Sequence, residues 1–312
     1  MISRPLKETI QDMLQVSEFD IEEIREGFSK QVYRIKTKKD RYILYIWRRP
    51  LENKLTENQT KGAKYLFPDG FKYFIHNTKL LTDMGIRVPA IIFSGHRDEE
   101  DFDYALVECF EGQSYMEYMN KGGDIRTVAD KVEVVMEKMA SFKRSFYGPP
   151  MVNIPFPVPP VQLVFDFYAE ELRIAAAIDS EISFLKSDLM YLMERKKNEV
   201  TDMDKEEYPL IHGELTPPHV YILENGEIGL IDIEGIKYFD IEYDRAVIHL
   251  AYGDAIPVPK YICKEKLEFY TLCLKIGHLS VAADYLAHVD KNHPWFQNVR
   301  ESCLNELALK VR

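Results

Sequence analysis

Apolar positions alternate at strand spacing in the first third of the chain and fall mostly at helix spacing beyond it, so strands are expected first and helices after them. Residues 5–16 suit a short amphipathic helix. Residues 21–27, 31–37 and 41–48 then read as three strands, β-rich through Val32, Ile35, Ile43, Leu44 and Ile46. Gly27-Phe28-Ser29-Lys30 joins the first two, and Lys39-Asp40 sits at the next turn. The stretch 51–70 is polar and closes on Pro68-Asp69-Gly70. A helix follows over 71–84, with Phe71, Phe74, Ile75 and Leu81 near one face and Gly85 as its stop. Ile86–Phe93 and Tyr104–Phe110 are the next strands, separated by the acidic loop 98–101. Together they predict a five-stranded antiparallel sheet with one packed helix.

Glu111-Gly112 then connects to a second, helical region. Its first helix is expected over 124–146, with Val128, Val132, Val135, Met139 and Phe142 inward. Six prolines between 148 and 160 exclude regular helix or central strand there. Further helices fit 163–178, 180–199, 260–276, 279–288 and 294–311, with a break at Pro257-Val258-Pro259. The chain is thus α+β, with a domain over 1–110 and a mainly helical one over 111–312.

Between the later helices, residues 208–246 read as loop, strand, turn, strand and loop. Asn225-Gly226 is a strong hairpin signal, because a type I′ turn needs positive φ at both central residues. With Glu224 and Glu227 flanking a two-residue turn, His219 falls opposite Asp232. The strand positions between are mostly apolar (Val220, Tyr221, Ile222, Leu223, Ile228, Leu230, Ile231). A buried ribbon would therefore end in an imidazole and carboxylate cluster of His219 and Asp232, with Glu214 just before and Glu234 just after.

Composition narrows the classes. Of 312 residues, 46% are apolar and 29% charged, as in ordinary globular proteins. The formal net charge of −11 argues against a nucleic-acid partner and suits a cationic one. No apolar run approaches the ~18 residues of a membrane span, and no signal peptide is read at the start. Cys109, Cys263, Cys273 and Cys303 are widely spaced and read as reduced thiols of a cytoplasmic protein.

The motifs carry a resemblance. His212-Gly213-Glu214-Leu215-Thr216-Pro217-Pro218-His219 resembles the HGDxxxxN loop of the aminoglycoside phosphotransferase and choline kinase superfamily. Ile231-Asp232-Ile233-Glu234 resembles its acidic metal segment, and Tyr238–Ala246 its GDPxYDLA run. The resemblance implies a protein-kinase-like two-lobed fold and an ATP- or GTP-dependent transfer of phosphate to a hydroxyl of a small polar molecule. It implies nucleotide binding at Ser29 and at the connector Glu108-Cys109-Phe110. It implies Mg²⁺, or Mn²⁺, at Asp232, His219 and Glu234, and Glu214 as the proton acceptor. His212 and Asp244 would brace the loop.

Three positions depart from that family. Glu214 stands for Asp, His219 for Asn, and Tyr45 for the strand lysine, for which Arg49 and Lys36 are the nearest substitutes. Tyr45 and His219 motivate an alternative, a catalytically impaired kinase-like module that binds nucleotide or protein, against which the clustered carboxylates Asp232, Glu214 and Glu234 argue.

Overall fold

The computed structural model describes residues 2–24, 30–48, 57–200 and 206–311, without the side chains of 57–61 and Ile125. In chain order the elements are α1 (Arg4–Leu14), β1 (Asp20–Ile24), β2 (Gln31–Lys36), β3 (Arg41–Arg48), α2 (Glu57–Leu66), α3 (Phe71–Asp83), β4 (Ile91–Arg97) and β5 (Phe102–Glu108). Then come β6 (Gly112–Ser114), α4 (Tyr115–Asn120), α5 (Ile125–Ala140), β7 (Lys143–Arg144), α6 (Pro160–Ile178), α7 (Ser180–Val200) and β8 (Tyr208–Ile211). The chain finishes with β9 (Val220–Leu223), β10 (Ile228–Leu230), β11 (Lys237–Tyr238), α8 (Ile241–Tyr252), α9 (Lys264–His288) and α10 (Pro294–Val311). Among the described residues no helix is long and apolar enough to cross a membrane.

Two compact units result. The first draws on Met1–Thr56, Pro68–Val135 and Pro217–Ile236, the second on Glu57–Phe67, Met136–Thr216 and Lys237–Arg312. Packing thus gives residues 111–135 and the hairpin to the sheet unit, because β6 pairs with β9.

The first unit is built on the antiparallel sheet β1-β2-β3-β5-β4. Alternation along β3 sends Leu44 and Ile46 to one face and Tyr45 and Trp47 to the other. Leu44 and Ile46 join Leu6 and Ile10 of α1 in one apolar cluster. Tyr45 and Trp47 pack instead on Phe74 of α3, with ring centroids 5.4 and 5.2 Å away. The sheet therefore carries α1 on one face and α3 on the other. The strand expected from Ile86 begins only at Ile91, because Pro89 has no N–H to give a ladder.

The second unit is a helical core in which α6, α7, α8 and α10 pack on α9. Leu163, Val164, Leu172, Leu189, Phe269 and Leu279 form its centre. The break expected between 276 and 279 is absent, and α9 runs unbroken from Lys264 to His288. Gly277 serves close approach there: a Cβ would meet the Tyr168 ring of α6 at 2.4 Å. The helix expected over 124–146 stops at Ala140, because Lys143-Arg144 pairs with β8 and the Phe142 carbonyl accepts from Leu210 N–H.

Candidate active site

In the first unit the hairpin forms, with a different register from the one expected. Ile222 pairs with Ile228, Tyr221 with Gly229 and Val220 with Leu230, so partners sum to 450 and not 451. The turn holds three residues, 224–226: Leu223 N–H donates to the Glu227 carbonyl, and of the central pair only Gly226 has positive φ (82°). A one-residue slip should send His219 and Asp232 to different faces. The register's last backbone bond runs from the Ile231 N–H to the His219 carbonyl at 3.0 Å, and the chain leaves the ladder at Asp232. Pro217–His219 and Ile233–Gly235 are single 3-10 turns, and Asp232 between strand and turn is left-handed, at φ 58° and ψ 47°. These turns bring His219 Nε2 to 3.6 Å from Asp232 Oδ2. Asp232 does not cap the turn that follows it, so its side chain is directed elsewhere. A non-glycine residue held at positive φ stores strain, which is typical of functional positions.

The side chain that meets Asp232 is Lys30. Its Nζ lies 2.6 Å from Asp232 Oδ1 and 2.5 Å from Glu234 Oε1. The Lys30 side chain is 7% exposed and that of Glu234 4%, while Asp232 keeps 32%. The ammonium sits 5.1 Å from the centre of the Tyr45 ring and 6.0 Å from that of Trp47, so an aromatic wall bounds it. Burial acts to lower the lysine pKa, but Glu234 and Asp232 outweigh it and hold Lys30 protonated well above its usual range. Burial pushes the Glu234 carboxyl up; Lys30 opposes this and Asp232 adds to it, and the net direction is upward. On α3, Asn77 Nδ2 donates to the carbonyls of Ile233 (2.8 Å) and Glu234 (3.0 Å). The turn bearing Glu234 is thus held by its backbone as well.

Glu234 Oε2 is buried and, among the described residues, accepts no hydrogen bond. With the Asp232 carboxylate it offers hard oxygen donors, the kind that Mg²⁺ and Mn²⁺ prefer. The residues present therefore fit a divalent cation, with the His219 imidazole beside them.

The connector also belongs to this unit. Glu108 is held by Arg87 and by the Ala90 N–H at 3.1 Å, and burial notwithstanding, these partners keep its carboxyl below the usual range. The Phe110 ring lies under the Arg87 guanidinium and beside Tyr221, and it occupies the space where a Cβ on Gly229 would stand, 2.5 Å from that position. Cys109 is a half-buried free thiol, and burial raises its pKa. Glu108 thus ties the connector to the segment before β4, and Phe110 ties it to the hairpin. Ser29, the expected phosphate contact, and Arg49 lie outside the described residues. Lys36, the other expected substitute for the strand lysine, is exposed at the far end of β2.

In the second unit Glu214 is exposed on the loop after β8. Asp244 fixes that loop by accepting the Gly213 N–H at 2.8 Å, while Gly213 itself takes a φ of 85°. His212 is 1% exposed, and the Glu214 N–H points to its Nδ1 at 3.4 Å. Lys237 is buried against the rings of Phe67, Phe239 and Tyr243. Burial pulls its pKa down to about 8, with Glu214 and Asp244 resisting. An exposed carboxylate on a braced loop can accept a proton from a hydroxyl.

Of the residues expected from the sequence, Asp232, Glu234 and His219 come together, Glu108 to Phe110 line the connector, and Glu214 belongs to the other unit. Lys30 and Asn77 were not anticipated. Strand parity could have found Lys30: Val32 pairs with Tyr45, and position 30 shares the face of position 32.

A family model described as Phosphotransferase enzyme family (APH) matches residues 20–262. Among solved structures, a thermostable mutant of aminoglycoside phosphotransferase APH(4)-Ia in apo form superposes with a TM-score of 0.65 at 13% identity, over 96% of this chain and 98% of that one. Another mutant of it was solved in ternary complex with AMP-PNP and hygromycin B (TM-score 0.63, 13% identity, 96% and 98% covered). A putative fructosamine-3-kinase from Haemophilus somnus 129PT gives 0.57 at 11% identity, over 97% and 96%. Choline kinase LicA from Streptococcus pneumoniae gives 0.54 at 16%, over 98% of each chain. Comparison with curated protein sequences finds no match. At such identities the likeness is one of fold.

Proposed function

The chain belongs to the phosphotransferase enzyme family, and from that premise we propose that it is a small-molecule kinase. It moves the γ-phosphoryl group of ATP or GTP to a hydroxyl of a small polar acceptor. The observation that carries this reading is the buried meeting of Lys30 with Asp232 and Glu234 at the end of the hairpin. Family-like chemistry needs a base and an acidic pair at that point, and Tyr45 is no base. Lys30, against the Tyr45 ring, supplies the missing cation. That removes the main reason for reading the chain as a catalytically impaired module.

In this proposal Asp232 and Glu234 hold the divalent cation, Mg²⁺ or Mn²⁺, with His219 beside them. When bound, that ion would neutralise charge on the transferring phosphoryl group. The acceptor oxygen bonds to the γ-phosphorus as the bond to the bridging oxygen of the leaving diphosphate breaks. Glu214 takes the acceptor's proton, and Asp244 keeps the Glu214 loop in place. The connector Glu108-Cys109-Phe110 and Ser29 bind the nucleotide. The net charge of −11 favours a cationic acceptor, such as an aminoglycoside-like amino sugar.

The test is transfer of label from γ-labelled ATP or GTP to a panel of hydroxylated acceptors, with wild type, Asp232→Asn and Glu214→Gln. Transfer by wild type and its loss in both variants is the expected result. Transfer that survives Asp232→Asn would overturn the assignment of the site.

A further inference from the structure

One ammonium lies between two carboxylates at the hairpin end, and both salt bridges are short. Lys30 offsets only one of the two negative charges. Among the described residues Glu234 Oε2 is buried and accepts no hydrogen bond. A divalent cation alone would balance both carboxylates and leave the lysine's charge buried in excess. A divalent cation together with a polyphosphate would leave the lysine a new partner, since phosphate oxygens take ammonium donors well. The same side chain must therefore oppose the bare metal and favour the metal–nucleotide complex.

We infer that Lys30 is a built-in counter-cation that competes with divalent metal for Asp232 and Glu234 and is transferred to phosphate oxygens when metal and nucleotide bind together. This rests on the function proposed above. The site would consequently discriminate against free metal and accept metal with nucleotide. The position supports such an exchange. Lys30 directly precedes β2, whose first residue Gln31 pairs with Ile46 of β3. Its stem is walled by the Tyr45 and Trp47 rings, whose own positions are fixed by Phe74. The carboxylate-bearing turn does not depend on Lys30 alone, since Asn77 clamps the Ile233 and Glu234 carbonyls. Removing the lysine's charge should leave the frame standing.

The experiment uses the full chain as wild type, Lys30→Met, Lys30→Gln, Lys30→Arg and Asp232→Ala. Unfolding midpoints are measured first, as a check on folding. Mn²⁺ binding is then read from the free-ion electron paramagnetic resonance signal, and binding of Mn²⁺ with AMP-PNP or GMP-PNP by calorimetry. The inference predicts opposite signs for the neutral variants. Lys30→Met and Lys30→Gln bind Mn²⁺ alone about tenfold more tightly than wild type, and the Mn²⁺–nucleotide about tenfold more weakly. Lys30→Arg keeps both near wild type. If the neutral variants weaken both ligands, or change neither, while Asp232→Ala still abolishes binding, the counter-cation role is wrong and the proposed function stands. If wild type and Asp232→Ala bind Mn²⁺–nucleotide equally, or neither binds it, the metal site itself is wrong and the inference falls with it.

Discussion

Lys266 and Lys30 are both buried lysines that hold an aspartate, and their surroundings differ in charge balance. In the second unit Lys266 Nζ lies 3.0 Å from Asp240 Oδ2, which also accepts the Tyr270 hydroxyl at 2.6 Å. Among the described residues the ammonium lies against the Asp240 carboxylate, Asp240 is 0% exposed, and the pair sits among the rings of the helical core. In the first unit one ammonium meets two carboxylates, and Asp232 is held left-handed. A balanced buried pair resists disturbance, because removing either partner strands a charge. An unbalanced cluster on a strained backbone attracts a further cation. Burial alone does not separate a structural ion pair from a functional one; the charge count does.

That contrast can be broken most sharply by removing the charge of each aspartate in turn. Asp232→Asn keeps a residue type that tolerates the left-handed region. It should lower kcat/KM for phosphotransfer by several kcal/mol, roughly 10³- to 10⁴-fold, with unfolding in urea changed by less than about 1 kcal/mol. Asp240→Ala should do the reverse. Leaving Lys266 charged and unpaired costs about 3–5 kcal/mol of stability in urea titration, with Mn²⁺ affinity at the hairpin unchanged.

Lys237 supplies a smaller, signed effect. Its pKa is lowered in the folded protein from 10.5 to about 8, so its contribution to stability is present above the unfolded value and lost as pH falls through the folded one. Wild type should therefore gain about 2 kcal/mol relative to Lys237→Met between pH 7 and 9.5, read from urea midpoints of both proteins. A difference that is flat with pH would show that Lys237 is better paired than its burial implies. The smallest effect concerns the frame. Gly229→Ala puts a Cβ 2.5 Å from the Phe110 ring. The far edge of that ring can yield, so the cost should sit near 1 kcal/mol, measured by thermal melts, with nucleotide affinity more affected than stability.

The strands were legible because β2 alternates, with Tyr33 and Ile35 on one face, and β3 is a short β-rich apolar run whose Leu44 and Ile46 join them by parity. The α9 break was misread because a glycine weakens a helix in isolation, whereas Gly277 is kept for the Tyr168 ring. The polar stretch 51–70 hid α2, whose first turns, Glu57 to Lys61, are polar and are followed by a glycine at 62. A signal for α4 was present and unused: Ser114 and Glu117 form a capping box. At the site, the carboxylates were readable from spacing, yet the expected cross-strand pairing of His219 with Asp232 failed by one residue. They still meet, because two 3-10 turns and one left-handed residue replace the ladder there. The family pattern points to a base at position 45, with Arg49 and Lys36 as substitutes, whereas the partners of Lys30 lie 202 and 204 residues away in the chain.

The most direct test of the central claim is the thermal midpoint of wild type and Asp232→Asn with AMP-PNP or GMP-PNP, each with and without Mg²⁺. At 100 times Kd a ligand of the native state adds about 2.7 kcal/mol, or roughly 5 °C for a chain of this size. The account predicts that shift in wild type with nucleotide and metal together, little with either alone, and none in Asp232→Asn. Equal shifts in both proteins, or no shift at millimolar nucleotide, would contradict it.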